Sequence, residues 1–273
     1  MSRNIRRRIW PERIVFLLTV AFLTWTGWGC NTRIQGCLDL NATNFDLTAE
    51  KACDDCCTYP TVSITLSQKW GDNNFSTGNT FFDIHGDSFK IIDLQYFLSS
   101  FAWESSLNEI YTIDSTTANC PGEMFNYTND INVIRPTSFV YTLGSSRRAT
   151  EIDSLVFHVG LVEDFSCLDD SLSSTPDILT SSSPLWNPAT GTLSTMRLIV
   201  NLLPSDTIVD TLFIDVHQAE KIAYRGALNQ GENFSFLLTV NYAPWFSSVD
   251  IGDLNTFSTS IANGLPGSFR KTE

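Results

Sequence analysis

From Thr61 onward the chain is written in short apolar runs, rich in Val, Ile, Phe, Tyr and Thr and separated by Gly, Asn, Asp, Ser and Pro. The runs read TVSITL, FKIIDLQYFLSSFAW, SFVYTLG, DSLVFHVGLV, STMRLIVNLL, DTLFIDVH, KIAYRGAL and NFSFLLTVNY. In the first of them Val62, Ile64 and Leu66 repeat every second residue, the period of a strand with one buried face. β-Branched and aromatic side chains suit such a pleated, half-buried surface. Helical stripes are scarce, and the best candidates are short, at Asp169–Leu172 and Asn255–Ala262. Many short strands between turn signals predict an all-β fold, an antiparallel β-sandwich over residues 61–273. Ser171 to Pro184 reads as a long polar loop on its surface.

The amino terminus sets the compartment. Arg3, Arg6, Arg7, Arg8 and Arg13 stand against a single Glu12, and Ile14 to Trp28 follows with no charge. A basic head with an apolar run too short for a membrane span is an export signal. The run ends Gly27-Trp28-Gly29-Cys30, and a small residue directly before a cysteine there resembles a bacterial lipoprotein signal. On that reading residues 1–29 are removed and Cys30 carries the lipid, so the chain is held on a membrane without spanning it. Losing 1–29 takes five basic and one acidic group from totals of 17 and 30, and the remaining chain has a formal charge of −17. Such a surface repels phosphate backbones, which argues against nucleic acid as a partner. It also leaves the acyl anchor as the membrane hold. The location implied is the cell envelope, on the periplasmic side or the outer-membrane surface.

Residues 30–60 concentrate cysteine. GCLDLNATNFDLTAEKACDDCCTYP holds Cys37, Cys53, Cys56 and Cys57, with Cys120 and Cys167 further on. Six cysteines in an oxidising setting read first as three disulfides, and spacing alone does not choose among the 15 pairings. The economical map pairs Cys37, Cys53, Cys56 and Cys57 among themselves and joins Cys120 to Cys167. Adjacent Cys56 and Cys57 point to different partners. Cys53-Asp54-Asp55-Cys56 also has zinc-ligand spacing, but no second CxxC or HxxxH follows. A redox CxxC lacks a surrounding βαβ pattern. Asp39, Asn41, Asp46, Asp54 and Asp55 are calcium-type ligands without the order of a calcium loop.

Catalytic signatures are missing: there is no G-x-S-x-G, H-E-x-x-H, G-x-x-x-x-G-K-[ST] or G-x-G-x-x-G. Gly86-Asp87-Ser88 reads as a turn, and no nucleophile–base pair is recognisable, so a non-enzyme is expected. The chemistry on offer is three imidazoles, which suit copper and zinc. His158 lies within a strand, and His217 lies at a strand end two residues after Asp215. His85 follows Asp83 by two, so both His85 and His217 have a carboxylate in position to orient them. Trp245-Phe246 is a candidate contact patch for a protein partner, with burial in the core as the competing fate.

Two resemblances complete the reading. Gly36, Cys37, Asp39, Ala42, Asn44, Phe45, Asp46, Ala49, Cys57, Tyr59 and Pro60 match a short cysteine module found near the start of many Gram-negative surface proteins. The remainder resembles the MbnP-like family of exported bacterial proteins, some of which bind copper. The carrying segments are Asp93 to Phe101, Leu155 to Gly160, Trp186-Asn187-Pro188 and Phe213 to His217. The resemblance implies a β-sandwich and a copper site of a histidine pair with an oxidised tryptophan, His217 being the match to a family histidine. The chain departs from the family after Pro188, where ATGTLSTMRLIVNLL carries Met196 but no Trp. Copper held by His217 with His85 or His158 is therefore the implied cofactor. A structural or partner-binding surface module without metal is the alternative.

Overall fold

The computed structural model describes residues 33–107, 109–113, 115–120, 123–128, 130–147, 149–162, 165, 176–203 and 209–273, with the side chains of 115–120, 123–128 and 209 left aside. The signal, Cys30, Cys167 and the short helix expected at Asp169–Leu172 lie outside these residues, as does the Cys120 side chain. Contacts divide the chain into two compact units.

In the first unit, residues 33–38 and 46–56 are described. Its strands β1 (Gln35–Gly36) and β2 (Lys51–Ala52) pair in parallel. The Asp46 carboxylate accepts the Thr48 backbone N–H at 2.8 Å and the Thr48 hydroxyl at 2.7 Å. These bonds hold its carboxyl below the usual range. Gly36 is required by proximity, because a Cβ there would meet the Ala49 Cβ at 2.9 Å.

The second unit comprises residues 39–45 and 57–273. Its strands begin with β3 (Thr61–Trp70), β4 (Asn73–Asn74), β5 (Thr80–Phe82), β6 (Ser88–Glu104), β7 (Ile110–Thr112), β8 (Ser115–Cys120) and β9 (Glu123–Thr128). Then come β10 (Asn132–Ile134), β11 (Val140–Ser145), β12 (Thr150–Val159), β13 (Trp186–Asn187) and β14 (Thr192–Leu193). The last are β15 (Met196–Leu202), β16 (Val209–Ile214), β17 (Gln218–Leu228), β18 (Phe234–Asn241) and β19 (Phe269–Lys271). Among the described residues the α-helix is α1 (Asn255–Gly264), over the helical stripe at Asn255–Ala262.

Eight strands form one sheet, with the path β16-β15-β6-β12-β17 and β5, β7 and β10 also on β6. Five form the other, with the path β11-β3-β18-β19 and β4 on β3. Inner rows of both contribute to one apolar cluster, including Val62, Ile64, Leu66, Phe236 and Leu238 from the small sheet. The all-β sandwich is thus the observed architecture. Its pairings are antiparallel apart from β3 with β18, which run parallel. Those two strands lie far apart in sequence, and the whole large sheet is threaded between them.

β6 is the spine, and its apolar residues look irregular until its bulges are counted. The inward residues are Phe89 and Ile91, then Leu94, Tyr96 and Leu98, then Phe101 and Trp103. Each gap adds one residue. Opposite β15 the register slips at Ile92, and opposite β12 it slips at Ser100. Ser100 has φ +54°, a left-handed conformation, and its N–H and that of Phe101 both point at the Asp130 carboxylate. Two bulges therefore restore the two-residue phase, so that every large ring of the row faces the core.

Between the sheets, Trp103 packs on Phe236 with centroids 6.0 Å apart, and Tyr96 meets Trp245 edge-on at 5.3 Å. Trp245 and Phe246 are buried, so the contact patch considered for them is replaced by a core role. The Tyr96 and Tyr242 hydroxyls lie 3.1 Å apart, and Tyr242 donates to Gln68 Oε1 at 2.9 Å. Burial pushes both phenols well above their ordinary range.

Glu220 is an oddity on the inward row of β17. It is buried, accepts the Gly267 N–H at 3.3 Å, and has its Oε1 buried without a hydrogen bond. Burial raises its pKa. The folded state therefore holds this proton more tightly than the unfolded chain does. Its contribution is most favourable in acid and is lost as pH rises from the unfolded pKa toward the raised one. Glu220→Gln is expected to raise the urea midpoint at pH 7, with the advantage over wild type vanishing below about pH 4. Equal midpoints at both pH values would contradict this.

Candidate functional site

On one edge of β6 two strands lie end to end. β12 runs along Leu98 to Glu104 and β15 along Phe89 to Tyr96. They meet at Phe97, whose carbonyl accepts the Gly160 N–H at 3.0 Å and whose N–H donates to the Thr195 carbonyl at 3.0 Å. The next layer repeats the arrangement, with β16 beside β15 and β17 beside β12. Asp215-Val216-His217 is the link that carries the chain from β16 to β17 across this seam. Beside Phe97, Leu179 and Leu185 join Phe165, Ile131 and Val133 in a second apolar cluster.

The seam brings two of the three histidines together. Leu98 and Val159 face the core, so Ser99 and His158, paired opposite each other, face outward. His158 is also opposite Ala219, and Gln218 is opposite Val159, which leaves His217 one step beyond, over Gly160. The two imidazoles are diagonal neighbours on one face. Together with Val159, Leu161 and Val162 they line an open depression of about 320 Å³.

Gly160 makes this possible. Its φ is +106°, and a Cβ there would come within 2.9 Å of His217 Nδ1 and 3.0 Å of the Val216 carbonyl oxygen. Its own carbonyl accepts the Ser99 hydroxyl at 2.6 Å. The imidazole of His217 thus rests in a notch that only glycine leaves open.

His85 is elsewhere. It sits in the tight turn between β5 and β6, 61 % exposed, with Nε2 3.5 Å from Asp250 Oδ2. Nine residues of β6 separate that turn from Phe97, about 30 Å of strand. The carboxylates expected to orient His85 and His217 are used otherwise. Asp83 accepts the backbone N–H groups of His85, Asp87 and Ile251, and Asp215 accepts that of Thr195 at 3.1 Å. Those backbone bonds keep the Asp83 carboxyl low despite its burial. Met196 is no ligand either, since it points into the main core.

Cys53 is bonded to Cys56, and Cys37 and Cys57 are in disulfides too. Adjacent Cys56 and Cys57 therefore have different partners, as expected. Sulfur in a disulfide is not the thiolate that binds zinc, which removes the zinc alternative. Asp39 is committed to a turn as well, accepting the Asn41 N–H at 2.9 Å and the Tyr59 hydroxyl at 3.0 Å.

No helix among the described residues is long and apolar enough to cross a membrane. No protein-family model matches the chain, and no curated protein matches it. Among solved structures it is similar to MbnP from Methylosinus trichosporium, at 9 % identity over 70 % of this chain and 78 % of that one. The TM-score is 0.40, a distant likeness of fold. Gly160 was named in the sequence only as the end of a resembling segment, while the roles of Leu161 and Val162 had no signal there.

Proposed function

We propose that this chain is a non-enzymatic lipoprotein of the cell envelope that binds copper between His158 and His217. The observation that carries the metal clause is the placement of these two imidazoles on one depression, with Gly160 cut back to admit the second. Imidazole nitrogen suits copper. The flanking Leu161 and Val162 supply apolar surface beside the imidazoles. The acidic surface draws cations toward it. Disulfide bonding of the module leaves Cys37, Cys53, Cys56 and Cys57 out of competition for the metal. The envelope and lipid clauses rest on the export signal and Cys30.

Equilibrium dialysis against Cu(I), and separately Cu(II), tests the proposal. One copper per chain is expected in at least one oxidation state, and it is lost in both His158→Ala and His217→Ala. His85→Ala keeps it. At free copper a hundredfold above Kd, binding stabilises the fold by about 2.7 kcal/mol, which a thermal melt reads as an upward shift. Sub-stoichiometric copper, or copper indifferent to both substitutions, would leave the metal-free surface module as the better account.

A further inference from the structure

A second concave site lies at the turn between the sheets, away from the histidines. The end of β3 and the strand β4 form a hairpin in which Trp70 is opposite Asn73 and Lys69 opposite Asn74. β5, paired to β6, brings Thr80 and Phe82 to its outer face and buries Phe81 beneath them. Trp70, Phe81, Phe82 and the amides of Asn73, Asn74 and Asn79 line an open groove of about 510 Å³, within the size range of small-molecule sites.

We propose that this groove binds a neutral carbohydrate chain. Phe82 is 65 % exposed at its rim, which leaves its ring open to a ligand lying in the groove. The Trp70 indole is held from behind by Phe81 and Phe246, with centroids 3.9 and 5.3 Å away. Aromatic surface of this kind packs on the C–H faces of sugar rings. Asn73 and Asn79 make no side-chain hydrogen bond to any described residue. Each amide both donates and accepts, as a sugar hydroxyl does. Asn74 spends its oxygen on Lys69 Nζ at 2.6 Å, which leaves its NH2 to donate. No charged side chain lines the groove, and the nearby Lys69 ammonium is held by the Asn74 carbonyl oxygen, so a neutral polyol fits.

The walls are already fixed. Gly71, with φ +60°, turns the hairpin and donates its N–H to Asn241 Oδ1 at 2.9 Å. Tyr242 N–H bonds the Lys69 carbonyl at 2.9 Å, and Gly78 N–H bonds that of Ile91 at 2.8 Å. A ligand entering such a groove meets little ordering cost.

Calorimetric titration of the mature chain with maltohexaose, cellohexaose, chitohexaose, xylohexaose and mannohexaose tests the assignment. Saturable one-site binding of at least one of them is expected. Phe82→Ala should weaken it about tenfold or more, and Asn79→Ala should weaken it as well. Both positions are on the surface, so circular dichroism of the variants should match wild type. His217→Ala should leave sugar binding unchanged, which separates this site from the copper proposal. Failure of all five sugars, binding unmoved by both substitutions, or saturation by a casein tryptic peptide mixture instead would overturn the carbohydrate assignment.

Discussion

Replacing Asp130 with alanine is expected to cost about 3 kcal/mol of folding stability, the largest loss expected from a single carboxylate among the described residues. Asp130 is fully buried, and its two oxygens accept the N–H groups of Ser100 and Phe101. Those donors are unpaired with a neighbouring strand because Ser100 is the extra residue of a bulge. Truncation strands both, and each buried donor left without an acceptor costs about 1–3 kcal/mol. Two such donors sum to about 2–6 kcal/mol, and water reaching half-buried Ser100 keeps the total in the lower half, at about 3 kcal/mol. Asp130→Asn retains one good acceptor and should lose about half as much. The bulge sets the phase of Phe101 and Trp103, so its weakening is felt through the core as well as locally. Urea denaturation with an unchanged slope and a lowered midpoint is the expected reading. A loss under 0.5 kcal/mol would mean that something else supports the bulge.

Gly160→Val is the second large effect, and it joins stability to the site. A β-branched residue is strained at φ +106°, and its Cβ would press on His217 Nδ1 and on the Val216 carbonyl. The carbonyl is backbone of the seam link and has little room to retreat. A loss of about 3 kcal/mol is expected, with copper binding abolished in whatever fraction remains folded. His217→Ala makes the contrast. It removes an exposed side chain, so stability should change by no more than about 0.5 kcal/mol while copper is lost. If Gly160→Val kept both stability and copper, the notch would not be what seats the imidazole.

Strand existence was legible because periodicity is local. Val62, Ile64 and Leu66 alternate in the sequence and are buried together in β3. The run from Phe89 to Trp103 was visible as strand, but its two bulges were not, since an added residue has meaning only against a partner strand. The disulfide bonding of Cys37, Cys53, Cys56 and Cys57 was readable from the even cysteine count and the oxidising setting expected for the chain. The histidine pair was not. His158 and His217 are separated by 59 positions, and what joins them is the antiparallel register of β12 on β17, which sets His217 just before β17 beside Gly160. For the same reason Asp83 and Asp215 misled: their spacing suits a neighbouring imidazole, yet backbone N–H groups from elsewhere in the chain take the carboxylates. Trp245 was ambiguous between surface and core, and the packing of Tyr96 and Tyr242 around it decides for the core.

Copper K-edge absorption of the metal-loaded chain reads the ligand atoms themselves. A first shell of light scatterers with the multiple-scattering pattern of imidazole, abolished in the His158→Ala, His217→Ala double variant, is the predicted spectrum. A shell dominated by sulfur, or an imidazole shell that survives the double variant, would contradict the seam as the metal's seat.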